Sequence, residues 1–173
     1  LVLDNGQDAP TGQAGEIWVR GPQVMPGYWN NPAETALVMK DGWFATGDIG
    51  VMSADGFFTI VDRKKDMVLV SGFNVYPNEV EEVIAQMDSV LEVAVIGVPD
   101  ATTGEAVRAY VVPNPEHADG IDVTQVIAHC KQQLTSYKVP KHVEVRDELP
   151  KSPVGKVLRK DLKAQVAAET TRS

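Results

Sequence analysis

The residues most able to do chemistry fall in a few short groups. Asp48 follows Thr46-Gly47, and a carboxylate there can accept hydrogen bonds from both hydroxyls of a vicinal diol such as a ribose. The same tripeptide also suits a turn whose aspartate bonds its own backbone. Arg63 lies between Asp62 and Lys64. Its guanidinium is always charged and carries five donors, suited to ribose or phosphate oxygens, or to a surface ion pair with Asp62 or Asp66. Lys156 follows Gly155 within Pro150-Lys151-Ser152-Pro153-Val154-Gly155-Lys156. An ammonium held between two anionic reactants offsets their repulsion and aligns the attack, and a glycine beside it lets a loop approach closely. The alternative is one more solvated lysine in a basic stretch. Ser71-Gly72-Phe73 offers a glycine that serves either as a turn residue at positive φ or as a point where a side chain would obstruct a ligand.

These residues need elements to hold them, and hydrophobic periodicity outlines those elements. Leu1-Val2-Leu3 reads as a strand running into the turn Asp4-Asn5-Gly6, and 16–20 reads as another strand. Asn31-Pro32-Ala33-Glu34 opens a helix, with Asn as cap, Pro first and Glu three after the cap; Asp41-Gly42 stops it. Strands follow over 49–52 and 57–61, joined by a hairpin connection at 53–56. A buried strand over 67–70 runs into Gly72, and Pro77 starts a helix facing inward through Val80, Val83, Ile84 and Met87. Strands over 90–98 and 106–112 are separated by a loop. Asp122, with Gln125 three residues on, caps a helix lined by Val123, Val126, Ile127, Cys130 and Leu134. A last strand covers 142–145 and a terminal helix 158–166. The class is α+β, with a β-rich segment to about residue 64 and then a small sheet covered by helices.

Composition bounds the function. The chain has 173 residues, 43% hydrophobic and 23% charged, as expected of a folded globular protein and not of a disordered one. Its apolar runs are too short to span a bilayer and no leader pattern opens it, so a cytosolic, soluble protein is expected. A net charge of −8 argues against nucleic acid or anionic lipid as a general partner. The segment 138–163 is nevertheless +4, a basic end that either meets a small phosphorylated ligand or is a solvated face. Cys130 is the single cysteine and excludes an internal disulfide. It falls on the apolar face of its helix and reads as a small core residue. His117, His129 and His142 lack metal-ligand spacing, no Ser/His/Asp arrangement stands out, and no metal ligand is assigned to this chain. Trp18, Trp29 and Trp43 read as packing anchors.

Two stretches go beyond generic structure: Asp41-Gly42-Trp43-Phe44-Ala45-Thr46-Gly47-Asp48, continuing to Asp62-Arg63-Lys64-Lys65, and Pro150 to Arg159. With Gly15-Glu16-Ile17 and Gly27-Tyr28-Trp29 they resemble the adenylate-forming superfamily of acyl-CoA synthetases, luciferases and peptide-synthetase adenylation domains. The run from Asp41 to Lys65 resembles the fatty acyl-CoA synthetase signature, and Asp66 to Pro77 is similar to the bacterial long-chain enzyme. The likeness covers nearly the whole chain, in order. It implies that residues 1–64 are the C-terminal end of a large adenylation domain. Residues 65–173 would be the small mobile domain that follows, with a central sheet covered by helices. The family's phosphate loop, acyl tunnel and magnesium-binding glutamate have no counterpart in the sequence, and the opening reads as the interior of a domain.

The resemblance also implies roles. Asp48 and Arg63 would bind the nucleotide, Lys65 would be the hinge, and Lys156 would be the catalytic lysine of the adenylation step. Gly72 and Phe73 would line the channel that delivers the thiol of CoA. Leu69 departs from luciferase-type members, which have a lysine there. The implied reaction joins fatty acid, ATP and CoA into acyl-CoA, AMP and pyrophosphate through an acyl-adenylate, using Mg2+ held by the absent large domain. The implied partners are therefore ATP or AMP, CoA, a fatty acid and that large domain. The implied place is the cytoplasm, with any peripheral contact at the inner membrane made through the absent part. This chain alone is expected to be inactive. The competing expectations are a stand-alone, non-catalytic nucleotide- or CoA-binding module, and a related synthetase for another carboxylic acid.

Overall fold

The computed structural model describes residues 1–117 and 120–172. They fall into two compact units, Leu1–Lys65 and Asp66–Ser173, each a mixture of helices and a mainly antiparallel sheet.

In the first unit, strand β1 (Gly15–Val19), helix α1 (Pro32–Val38) and strands β2 (Met39–Lys40), β3 (Trp43–Met52) and β4 (Phe58–Arg63) follow in order. β1, β2 and β4 all pair with β3, antiparallel. α1 starts where its capping residues direct: the Asn31 side chain accepts from Glu34 N at 3.2 Å, and Pro32 takes the first helical position. Leu1–Leu3 does not form a strand of its own, since only Val2 bridges, to Asp8 and Glu16. β3 begins at Trp43, six residues before the expected start. Its Thr-Gly-Asp is absorbed into the ladder as a bulge. Glu16 pairs with Ile49 but Trp18 with Ala45, so two steps along β1 oppose four along β3.

The tryptophans divide. Trp18 is half-buried, and Arg20 covers the partly exposed Trp43 ring at 4.6 Å. Trp29 does not act as an anchor. It is 98% exposed, although the loop that carries it is tied to α1 through Tyr28 N, which donates to Thr35 Oγ1 at 2.9 Å. Ile49 is the buried hydrophobic side chain of this unit among the described residues, while Phe57, Phe58 and Ile60 of the β4 hairpin are all more than half exposed.

The second unit is built differently. Strands β5 (Val68–Val70), β6 (Phe73–Val75), β7 (Val90–Asp100), β8 (Gly104–Pro113) and β9 (His142–Val145) form one sheet, in the order β6-β5-β8-β7 with β9 parallel to β8. Helices α2 (Pro77–Ile84), α3 (Val123–Gln133) and α4 (Arg159–Arg172) cover it. Side-chain alternation sends Val95, Val107, Ala109 and Val111 to one face, where they meet Val80 and Ile84 of α2 and Val126 and Cys130 of α3. Ala94, Ile96, Val98, Ala106, Tyr110 and Val112 point to the other face and meet Leu162 and Val166 of α4. β8 is largely buried over 106–112, which is why its sequence is a nearly unbroken apolar run. Each Val or Ile so buried contributes about 1.5–3 kcal/mol of transfer free energy, and that favours this unit strongly over the first.

Details depart from the sequence reading in both directions. β7 and β8 extend until only 101–103 join them, because Asp100 Oδ1 accepts at 3.0 Å from Thr102 N, Thr103 N and Thr103 Oγ1. Met87 lies beyond the end of α2 but still packs on the core. Asp122 caps α3 by accepting from Thr124 N at 2.8 Å. α4 runs past the expected 166. The strand β6, absent from the periodicity reading, forms because Ser71-Gly72 folds it back onto β5.

Candidate functional site

Asp48 sits at the end of the β3 bulge, directly opposite Arg63 in the ladder. A second register shift follows at once: Ile49 pairs with Asp62 but Gly50 with Ile60, which places one extra residue in β4. Two bulges therefore flank the carboxylate and turn it off the regular pleat. The bulge is braced from below. Thr46 Oγ1 donates to Ile17 O at 2.8 Å and accepts from Asp48 N at 3.1 Å, while Gly47 N donates to Glu16 Oε1 at 3.1 Å. Glu16, 8% exposed, also accepts from Lys64 Nζ at 3.0 Å, and Lys64 reaches Asp4 at 3.4 Å. Burial opposes the charge of Lys64, but its hydrogen bonds to Glu16 and Asp4 outweigh that, and its pKa is raised.

The structure brings Asp48 and Arg63 together, Arg63 Nε lying 3.1 Å from Asp48 Oδ1. The pair is partly exposed and offers one acceptor and one set of donors side by side. That arrangement suits a ligand with both hydroxyls and an anion. Lys65 lies in a single 3-10 turn, Lys64–Asp66, as the last residue of the first unit, and its side chain is exposed.

Lys156 lies in the second unit, on a small hairpin. Lys151 bridges Val157, Ser152 N donates to Lys156 O at 2.8 Å, Leu158 N donates to Pro150 O at 2.8 Å, and Gly155 N donates to Ser152 O at 2.8 Å. Gly155 has φ +80°, a conformation that glycine adopts without strain. Lys156 N donates to Ser152 Oγ at 3.1 Å, while its side chain is exposed and makes no ion pair among the described residues. The result is an ammonium on a defined loop with its charge uncommitted.

Gly72 occupies a two-residue hairpin turn between β5 and β6. Ser71 (φ +51°) and Gly72 (φ +85°) are both left-handed, as the tight hairpin twist requires. A Cβ at Gly72 would meet nothing within 4 Å. Phe73 is more than half exposed, and its ring stacks on Tyr137 with centroids 4.7 Å apart and planes at 19°. Leu69 points outward from the sheet, its amide held by Glu105 Oε2 at 2.7 Å.

Sequence reasoning singled out neither Tyr137 nor Glu81, because each meets a partner distant in the chain. Glu16 entered only within the Gly15-Glu16-Ile17 motif, with no role given to its carboxylate. Among the described residues no group of three or more His, Cys, Asp or Glu side chains could hold a metal ion. No described helix is long and apolar enough to cross a membrane.

Comparison with known proteins sets this geometry in a family. Residues 79–156 match the model of the AMP-binding enzyme C-terminal domain. A long-chain-fatty-acid–CoA ligase of Yersinia pestis is 60% identical over 160 residues, 92% of this chain and 28% of that protein. The chain thus spans less than a third of the length of that relative. The ATP-bound structure of MatB from Rhodopseudomonas palustris superposes with a TM-score of 0.86 at 41% identity, over 95% of this chain and 32% of that one. The o-succinylbenzoate CoA synthetase MenE of Bacillus subtilis, in complex with its acyl-adenylate intermediate, gives 0.83 at 34% identity, over 94% and 33%. Residues 79–156 are thus an AMP-binding enzyme C-terminal domain, in a chain similar in sequence and fold to adenylate-forming enzymes.

Proposed function

We propose that this chain is the C-terminal part of an ATP-dependent ligase that converts a long-chain fatty acid and CoA into acyl-CoA through an acyl-adenylate. The observation that carries the reading is the 60% identity over 92% of the chain to a long-chain-fatty-acid–CoA ligase. In the first step a carboxylate oxygen of the acid attacks the α-phosphorus of ATP, and the bond to pyrophosphate breaks. In the second the CoA sulfur attacks the acyl carbonyl, AMP leaves, and the thiol proton passes to solvent. Asp48 and Arg63 hold the nucleotide ribose and its neighbouring oxygens. Lys156 sits between the two anions of the first step, where a fixed ammonium stabilises the transition state. Lys65 is the pivot about which the second unit turns between the two steps. Gly72 and Phe73 border the passage of the thiol.

The same assignment accounts for Phe57, Phe58, Ile60 and Trp29 being left uncovered in the first unit: these are surfaces that a larger domain would bury. A related ligase for another acid is the second reading, favoured by the similarity to an o-succinylbenzoate synthetase. The test is acyl-CoA formation by the intact protein with ATP, CoA and a panel of acids. Preference for fatty acids of long chain is expected, with no turnover by residues 1–173 alone. Preference for an aromatic or short diacid would favour the second reading, and turnover by residues 1–173 alone would contradict the first.

A further inference from the structure

Arg159 opens α4 three residues after Lys156, and its guanidinium turns inward. Its side chain and that of Glu81 are each only 20% exposed. Nη2 donates to Glu81 Oε1 and Oε2, both at 2.8 Å, and to Asn78 Oδ1 at 2.6 Å; Nε reaches Glu81 Oε1 at 3.2 Å. Asp66 Oδ2 lies 3.8 Å from Nη1. Glu81 Oε1 in turn accepts from Val95 N, in the edge strand β7, at 2.7 Å. One side chain therefore fastens the start of α4 to α2, to β7 and to the first residue of the unit. The other end of the hairpin is fastened too, by the ion pair of Lys151 with Glu92 and by the buried Leu149. Between these ends Val154 and Lys156 stand in solvent.

Exposed ion pairs hold little, but a bidentate, mostly buried guanidinium–carboxylate pair is directional and strong, and it leaves a costly charge if one partner is lost. We propose that Arg159 and Glu81 are positioning residues for Lys156: they fix the base of its hairpin so that the ammonium is presented in one register. The inference rests on the adenylation role proposed for Lys156. A misplacement of about 1 Å in such a group costs roughly 100-fold in rate. Arg159→Lys keeps the charge but loses the paired donors, and Glu81→Gln keeps the shape but loses the charge.

Two readouts test it. In residues 1–173, Arg159→Lys should speed amide hydrogen exchange at Ser152 and Lys156 by about tenfold or more, with exchange across 106–112 unchanged. In the intact protein the same variant should lower kcat for adenylation by roughly 10- to 100-fold. Its KM for ATP, and its rate of thioester formation from supplied acyl-adenylate, should remain near those of the unaltered protein. Unchanged exchange at the hairpin, or unaltered adenylation in both variants while Lys156→Ala abolishes it, overturns the positioning role alone. Parallel loss of both half-reactions with a lowered Tm reduces the pair to a structural brace and also overturns it. Normal adenylation by Lys156→Ala overturns the functional reading, and the positioning role falls with it.

Discussion

At the scale of the residue, Asp48 owes its setting to two register shifts in consecutive ladder pairs, and Arg63 owes its own to the same pairing. Their ion pair is exposed enough to contribute little to stability, so its value lies in what it presents. Asp48→Asn in the intact protein should raise KM for ATP about tenfold, the loss of one charged hydrogen bond, while changing stability by less than about 1 kcal/mol. Steady-state kinetics and urea unfolding measure the two effects separately. Cys130 makes the opposite case. It is fully buried in α3 and burial pushes its thiol up to about 11, so thiolate is scarce at neutral pH. Alkylation by iodoacetamide, followed by mass spectrometry, should be negligible in the folded chain and complete in denaturant.

At the scale of the element, the Ser71-Gly72 turn separates two meanings of a glycine. Its φ of +85° alone requires a residue tolerant of the left-handed region, and Ala there costs about 1–2 kcal/mol. Asn tolerates that region far better, and no atom lies within 4 Å of its Cβ. Gly72→Asn should therefore fold nearly normally. If the turn borders the thiol's passage, this variant forms acyl-adenylate at the usual rate but reacts slowly with CoA. Equal rates in both half-reactions would leave the glycine a turn residue only.

Elements whose signals are local were legible in the sequence. Asn31-Pro32 and Asp122 cap the helices they mark, and the alternating apolar residues of β7 and β8 divide between two faces as a period of two dictates. Asp48, Arg63 and Lys156 stood out through the motifs around them. What stayed hidden depends on distant partners. The early start of β3 needs the bulge against Ile17, and Arg159 meets Glu81 across 78 positions; β6 has a near partner in β5, but its three residues are too few to show a period. Trp29 misled because residue type predicts burial only when another element arrives to cover it.

At the scale of the whole molecule, the two units differ in how well they can stand alone. The second has a sheet with a core on each face, and the first exposes Phe57, Phe58, Ile60 and Trp29. Acid should weaken the second through Glu144. Burial works against its charge, but Arg108 and Arg146 outweigh that and hold its carboxyl below its ordinary value. A lowered carboxyl stabilises the fold above its unfolded pKa, and that contribution disappears as pH falls through its folded value. Urea unfolding from pH 7 downward should therefore show a loss of stability beginning near the ordinary glutamate range, about pH 4–5, and Glu144→Gln should flatten part of it. An identical pH profile in the variant would remove Glu144 from the account.

The proposed function turns on one lysine on a solvated hairpin that serves the first half-reaction and not the second. The measurement is Lys156→Ala in the intact protein, with pyrophosphate release and thioester formation from supplied acyl-adenylate followed separately. Near-complete loss of the first and an unaltered rate of the second are expected. Equal loss of both, or no loss of the first, would contradict it.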